Sequence, residues 1–217
     1  MSYSILHAGP SRSFPDQHPF LIRASANGDG VVIVGEQAGA AFAQLGAGED
    51  RTFLAIELRD ECLGVHNGER SGSENSNVIG FARFRMGSAV PSDLIELVKQ
   101  PGTKASAVQA ARHAFESAGL KVAICGDFPG RIVNRLLRPY YNAALRRLDE
   151  GLATSADMDL TLKLGLGYPE GPISLLERTG LADHHDVSLA LFRALGHSDY
   201  VPARRAQVAR HRQRQGA

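Results

Sequence analysis

Cysteine, net charge and long apolar runs are all scarce in this chain, and each scarcity narrows what it can be. Cys62 and Cys125 are the only cysteines of 217 residues. They lie far apart without metal-ligand spacing, so each reads as a small buried hydrophobe in a reducing, cytoplasmic setting. No apolar run is long enough to span a bilayer and no cleavable signal is evident, so no membrane association is expected. The formal net charge is +1 and the pI about 7.9, so nucleic acid is not an expected partner on global charge. No internal repeat or low-complexity tract is long enough to alter the class. What is present is 43% hydrophobic content, enough for a substantial core in one or two domains.

Residues 1–18 lack periodicity and read as a flexible leader. Phe20-Leu21-Ile22 and Val31-Val32-Ile33-Val34 read as strands around the turn SANGDG. The alanine-rich stretch from Gln37 to Leu45 suits a helix ended by Gly46, and Thr52 to Leu58 a further strand. Strand, helix, strand favours a parallel α/β sheet. Arg59 to Asn77 is polar and turn-rich, with GERSGSENSN expected to be mobile. Val78 to Phe81 resumes a buried strand, whereas Ser92 to Val98 is compatible with helix or strand. Thr103 to Ala118 is an amphipathic helix stopped by Gly119, and Lys121 to Cys125 a strand. From Arg131 onward the pattern is helical: Thr154-x-x-Asp157 starts one helix, Pro172 and Gly180 bound another, and Ala182 to Leu195 ends at Gly196. Residues 201–217 read as a solvated basic tail, with contact to phosphates the minor alternative.

The densest stretch is DFPGRIVNRLLRPYYNAALRRLDEG followed by LKLGLGYPEGP. Phe128-Pro129-Gly130 is a turn, and Ile132, Val133, Leu136, Leu137 and Tyr140 recur at helical spacing. Asn134 sits among these apolar residues, so a buried amide there needs partners or costs a few kcal/mol; the spacing alone leaves a structural and a functional asparagine equally open. The order PG-x-x-x-NRLL-x-PY, the acidic EG turn and KLGLGYPEGPISLLE closely resembles the 3-hydroxyacyl-CoA dehydrogenase family over about residues 77–196.

That resemblance implies a truncated Rossmann-like parallel sheet domain at 19–126, an all-α helical domain at 127–200 that forms a homodimer, an acyl-CoA-type ligand and NAD as cofactor. It also implies a catalytic set of a His held by a Glu, with a Ser and an Asn. Asn134 matches the Asn and Glu96 matches the Glu, an exposed first-turn Glu being the bland alternative for the latter. In the segment that should carry the His, VIGFARFRM, Ala82 stands in its place, and no His occurs between Gly80 and Glu96. VIVGEQAGAAFAQL, with Gly35 and Gly39 and with Glu57 or Asp60 as a ribose carboxylate, only partly resembles the G-x-G-x-x-G fingerprint. The lengths fit better if Val31 to Val34 is the fourth strand of the family's nucleotide domain, so that the first βαβ unit is absent and no Ser falls in residues 55–60. The exposed sheet edge would then need a cover, with Phe20 to Ile22 as the candidate. Two functions stay open: an NAD-dependent 3-hydroxyacyl-CoA dehydrogenase of fatty-acid metabolism with an unrecognised base, and a noncatalytic acyl-CoA-binding or dimerisation protein of the same descent.

Overall fold

The computed structural model describes residues 2–46, 50–69 and 76–216. The chain divides into two compact units, Met1–Arg85 with Pro91–Ile132, and Met86–Val90 with Val133–Ala217. The first is an α/β sheet and the second is helical, as expected.

Among the described residues the sheet has six strands in sequence order: β1 (Tyr3–His7), β2 (Gly30–Val34), β3 (Leu54–Glu57), β4 (Val78–Arg83), β5 (Leu94–Lys99) and β6 (Lys121–Gly126). All neighbours are parallel except β4 and β5. Residues 92–98, open between helix and strand, thus supply most of an antiparallel strand. The leader is also corrected, because Tyr3–His7 pairs with Gly30–Val34 and forms the sheet edge. Alternation explains this: Tyr3 is buried at the front of YSILH and Ile5 packs against the same core, a period of two that a strand satisfies.

Phe20 to Ile22 is not a strand. It lies in a one-turn helix, α1 (Pro19–Ile22), whose first position is proline and whose His18 Nδ1 accepts from Phe20 N at 3.1 Å, a proline-led helix start. Phe20 covers a sheet face rather than an edge. It stacks on Tyr3 at 4.7 Å, on Phe14 at 5.2 Å and on Phe115 of α4 (Ala105–Ser117) at 4.5 Å. Val32, Val34, Ala55, Phe81, Ile95 and Leu97 line that face, whereas Ile33, Leu54, Ile56, Val78 and Val98 line the other beneath α2 (Ala38–Leu45). The GERSGSENSN loop falls largely outside the described residues; before it lies one further turn, α3 (Gly64–Asn67).

The α1 and α2 connections both step to the next parallel strand in the same direction, yet they cover opposite faces. They therefore have opposite hands, and one departs from the right-handed rule. Where the connections of adjacent strands part to opposite faces, an α/β sheet opens a crevice at its carboxyl ends, the usual place for a ligand. Here that place lies between β1 and β2.

The second unit is built on α5 (Val133–Asp149), α6 (Ser155–Leu166), α7 (Pro172–Thr179), α8 (Leu181–Leu195) and α9 (Arg204–Arg214). Thr154 caps α6 through Asp157 N, at 3.1 Å. The buried Asp159 accepts from Ile173 N and Ser174 N, both at 2.9 Å, and so caps α7. The segment expected to be a solvated tail is folded over its described residues, 201–216. Ala203 and Ala206 are buried, Arg204 and Arg205 pair with Asp149, and Arg210 pairs with Asp186 of α8. The short segment 86–90 joins this unit: a Cβ on Gly87 would meet Thr179 O at 1.8 Å, and Ser88 N donates to that same oxygen at 2.9 Å.

Candidate functional site

Antiparallel pairing of β4 and β5 sets Ala82 directly opposite Glu96, so the two positions the resemblance pairs are neighbours across the ladder. Glu96 is no exposed first-turn residue, being 1% exposed in mid-strand. A buried carboxylate needs compensation, and Arg131 supplies it. Arg131 Nε lies 3.3 Å from Glu96 Oε2, and Ile132 N donates to Oε1 at 2.8 Å. The second Arg131 amino group donates to Arg59 O, while Nη1 is buried with no partner among the described residues. Arg131 has a φ of 52°, the left-handed region and the only such non-glycine among the described residues. That backbone costs on the order of 1 kcal/mol and is held by the ion pair. Ala82 offers only a methyl, so this cluster contains a carboxylate and a guanidinium but no imidazole.

Asn134 belongs to the helical unit. Its side chain is 8% exposed, and its Oδ1 accepts from Arg138 Nε at 3.0 Å. A guanidinium only donates, so the asparagine must turn its oxygen inward and keep its NH₂ as the outward group. The fully buried Arg138 is held in turn: its Nη1 lies 3.1 Å from His184 Nδ1, which must accept, placing the ring proton on Nε2, 2.9 Å from Asn142 Oδ1. Asn142 donates to Asp199 O at 3.1 Å. Burial, then the Arg138 charge, depresses the His184 pKa to about 3. The chain Asn142, His184, Arg138, Asn134 presents one fixed donor, suited to a carbonyl oxygen. Sequence reading missed its inner members. Arg138 lies four residues after Asn134, one helical turn on, and could have been noticed; no local signal marks His184.

The crevice between β1 and β2 is where a dinucleotide's phosphates would lie, and its donors do not fit one. Gly35 N donates to Glu57 Oε2 at 2.6 Å, Ser13 N to Oε1 at 2.7 Å, and Ser11 Oγ to Oε2 at 2.7 Å. Glu36 N donates to Pro10 O and Gln37 N to Ala8 O, both at 2.9 Å. Glu57, one of two candidates for a ribose carboxylate, is thus engaged by the chain's own backbone. The adjoining cavity, lined in part by Arg12, Arg59 and Arg85, holds about 230 Å³, below the usual range for cofactor sites. A larger cavity of about 600 Å³ lies by Lys99, Gln100, Asp127 and Phe128 and includes neither Glu96 nor Asn134. Among the described residues no group of His, Cys, Asp and Glu could hold a metal, and no helix is long and apolar enough to cross a membrane.

The first unit is a Rossmann-like, mostly parallel α/β sheet and the region after it is all helix. Residues 130–216 match the family model described as 3-hydroxyacyl-CoA dehydrogenase, C-terminal domain. Hydroxyacyl-coenzyme A dehydrogenase, mitochondrial, of Sus scrofa is 40% identical over 102 residues, 46% of this chain and 32% of that protein. The 3-hydroxybutyryl-CoA dehydrogenase of Bradyrhizobium diazoefficiens is 34% identical over 110 residues, 51% of this chain and 38% of that one. Among solved structures, 3-hydroxybutyryl-CoA dehydrogenase from Escherichia coli superposes with a TM-score of 0.69 at 28% identity, covering 90% of this chain and 41% of that one. (S)-3-hydroxybutyryl-CoA dehydrogenase from Ralstonia eutropha, at 24% identity and a TM-score of 0.68, covers 87% and 66% and shares the fold. The helical region thus matches the C-terminal domain of the 3-hydroxyacyl-CoA dehydrogenase family, and the matched stretch spans about a third of the length of these curated relatives.

Proposed function

We propose that this protein is an acyl-CoA-recognising member of the dehydrogenase family that does not oxidise a hydroxyacyl group through a His–Glu pair, and so serves as a binding or assembly protein of acyl-CoA metabolism in the cytoplasm. The observation that carries the reading is the Ala82–Glu96–Arg131 cluster: the carboxylate that would orient a base is bonded instead to a guanidinium. Recognition of the thioester falls to Asn134, whose NH₂ is kept outward by Arg138. The relatives' names supply the ligand class, hydroxyacyl and 3-hydroxybutyryl thioesters of coenzyme A. NAD, in the dehydrogenases, supplies the hydride acceptor; here the donors that would meet its phosphates are spent within the chain. Leu160 and Leu164, one turn apart on α6 and 53% and 79% exposed, support the expected homodimer through the helical unit.

The competing reading, an active NAD-dependent dehydrogenase with a base elsewhere, rests on the identity to catalytic relatives. The deciding experiment follows NADH consumption with acetoacetyl-CoA for the wild type and Ala82→His, beside calorimetric titration of acetoacetyl-CoA into the wild type and Asn134→Ala. The expected result is no turnover by either protein, because Arg131 holds the Glu96 carboxylate that a new imidazole would need. Thioester binding should be weakened roughly tenfold by Asn134→Ala, as for loss of one hydrogen bond. Wild-type turnover abolished by Asn134→Ala would establish the dehydrogenase.

A further inference from the structure

We infer that the carboxylate of Glu57 is a built-in anion that fills the donor cradle at the carboxyl ends of β1, β2 and β3, so that the crevice is closed to a dinucleotide by the chain itself. The inference concerns the sheet unit alone and stands apart from the thioester reading.

Carboxyl-end crevices of this kind bind phosphates because backbone N–H groups converge there with no carbonyl to meet them. Such donors are present in this chain, and their acceptor is present too. Glu57 ends β3 at 5% exposure, on the face that carries Ala55 and Phe14. Its two oxygens accept from Ser11 Oγ, Ser13 N and Gly35 N, drawing together the β1 connection and the end of β2. A carboxylate accepting two or three such bonds is well compensated in a buried place. A phosphate arriving there would have to displace it or bear its charge at contact distance.

Gly35 makes the arrangement possible. It has a φ of 122°, and a Cβ on it would meet Ala8 O at 2.4 Å and Gly9 O at 2.5 Å, so the β1 connection lies against the backbone where a ligand would otherwise approach. The amides that follow are spent on that connection as well, Glu36 N on Pro10 O and Gln37 N on Ala8 O. Glycine at a strand end ordinarily lets a pyrophosphate come close; here it admits the chain's own loop. The partial likeness of VIVGEQAG to a nucleotide fingerprint therefore has a physical basis, with the anion supplied from within.

The test removes the internal anion and offers an external one. Thermal unfolding of the full-length wild type and of Glu57→Ala is followed in chloride and in acetate at equal ionic strength, beside a fluorescence titration of the wild type with NADH. The expected result is a lower Tm for Glu57→Ala in chloride, recovered in part by acetate, with no such gain for the wild type and no saturable NADH binding. Equal Tm values of the variant in the two salts would overturn the inference, as would saturable NADH binding by the wild type. A variant recovered folded only in acetate counts as rescue; one that folds in neither salt leaves the decision to the NADH titration.

Discussion

At the scale of single residues, what distinguishes this protein is where its buried charges go. Glu96 and Asn134, the two residues expected from the motif, are each bonded to an arginine, Arg131 at the carboxylate and Arg138 at the amide. The two arginines act differently. Arg131 compensates a buried carboxylate, whereas Arg138 donates to the Asn134 amide oxygen and leaves its NH₂ free to donate. The second network depends on His184 staying neutral, since a proton on Nδ1 would face the Arg138 guanidinium. With its folded-state pKa near 3 and an unfolded value of about 6.5, the unfolded chain takes up the proton first as pH falls. Stability from this group is complete above about pH 6.5 and is lost at up to roughly 1.4 kcal/mol per pH unit on descending toward pH 3. Urea unfolding across that window should show a shallower loss for His184→Gln than for the wild type. An imidazole resonance of His184 titrating near its ordinary value would refute this account.

At the scale of elements, the ends of the chain matter more than their composition suggests. Residues 1–18, read as a leader, place Tyr3 and Phe14 in the core at 4% and 5% exposure and contribute the edge strand. Burying such side chains stabilises by about 1.5–3 kcal/mol each, against a total of about 5–15 kcal/mol for a typical domain. Deleting residues 1–18 should therefore unfold the sheet unit, seen as loss of cooperative thermal unfolding and gain of hydrophobic-dye binding; an unchanged Tm would restore the leader reading. The sequence signals that worked were those with local causes: Gly46 and Gly196 as helix stops, Thr154 as a cap, Pro172 as an opener, and the short apolar runs VVIV and TFLAIEL. Those that failed depended on partners far along the chain. PFLI has strand composition but turns into a helix through His18 and Pro19 and stacks on Phe115, and Arg204, Arg205 and Arg210 of α9 are partnered by Asp149 and Asp186.

At the scale of the whole molecule, the helical unit carries the family match and the sheet unit carries the departures from it. Leu160 and Leu164 expose apolar surface on α6, which a second copy would cover in the proposed homodimer. Sedimentation velocity should find a dimer for the wild type and a monomer for Leu164→Arg, with the helical content of the variant unchanged. A monomeric wild type would remove this support and leave α6 as a docking face for a different partner.

The sequence by itself determined the α/β-then-helical class and the helical region, because a dense motif with its own turns and caps is read from near neighbours. It also determined that no histidine lies between Gly80 and Glu96, with Ala82 in that stretch. Only the tertiary structure decided what the buried charges meet. That Arg131 compensates Glu96, that Glu57 serves as the anion of its own crevice, and that His184 stands behind Arg138 are matters of contact between residues 35, 22 and 46 positions apart. Burial sets their energies, and burial follows from how strands and helices pack rather than from the order of neighbouring residues.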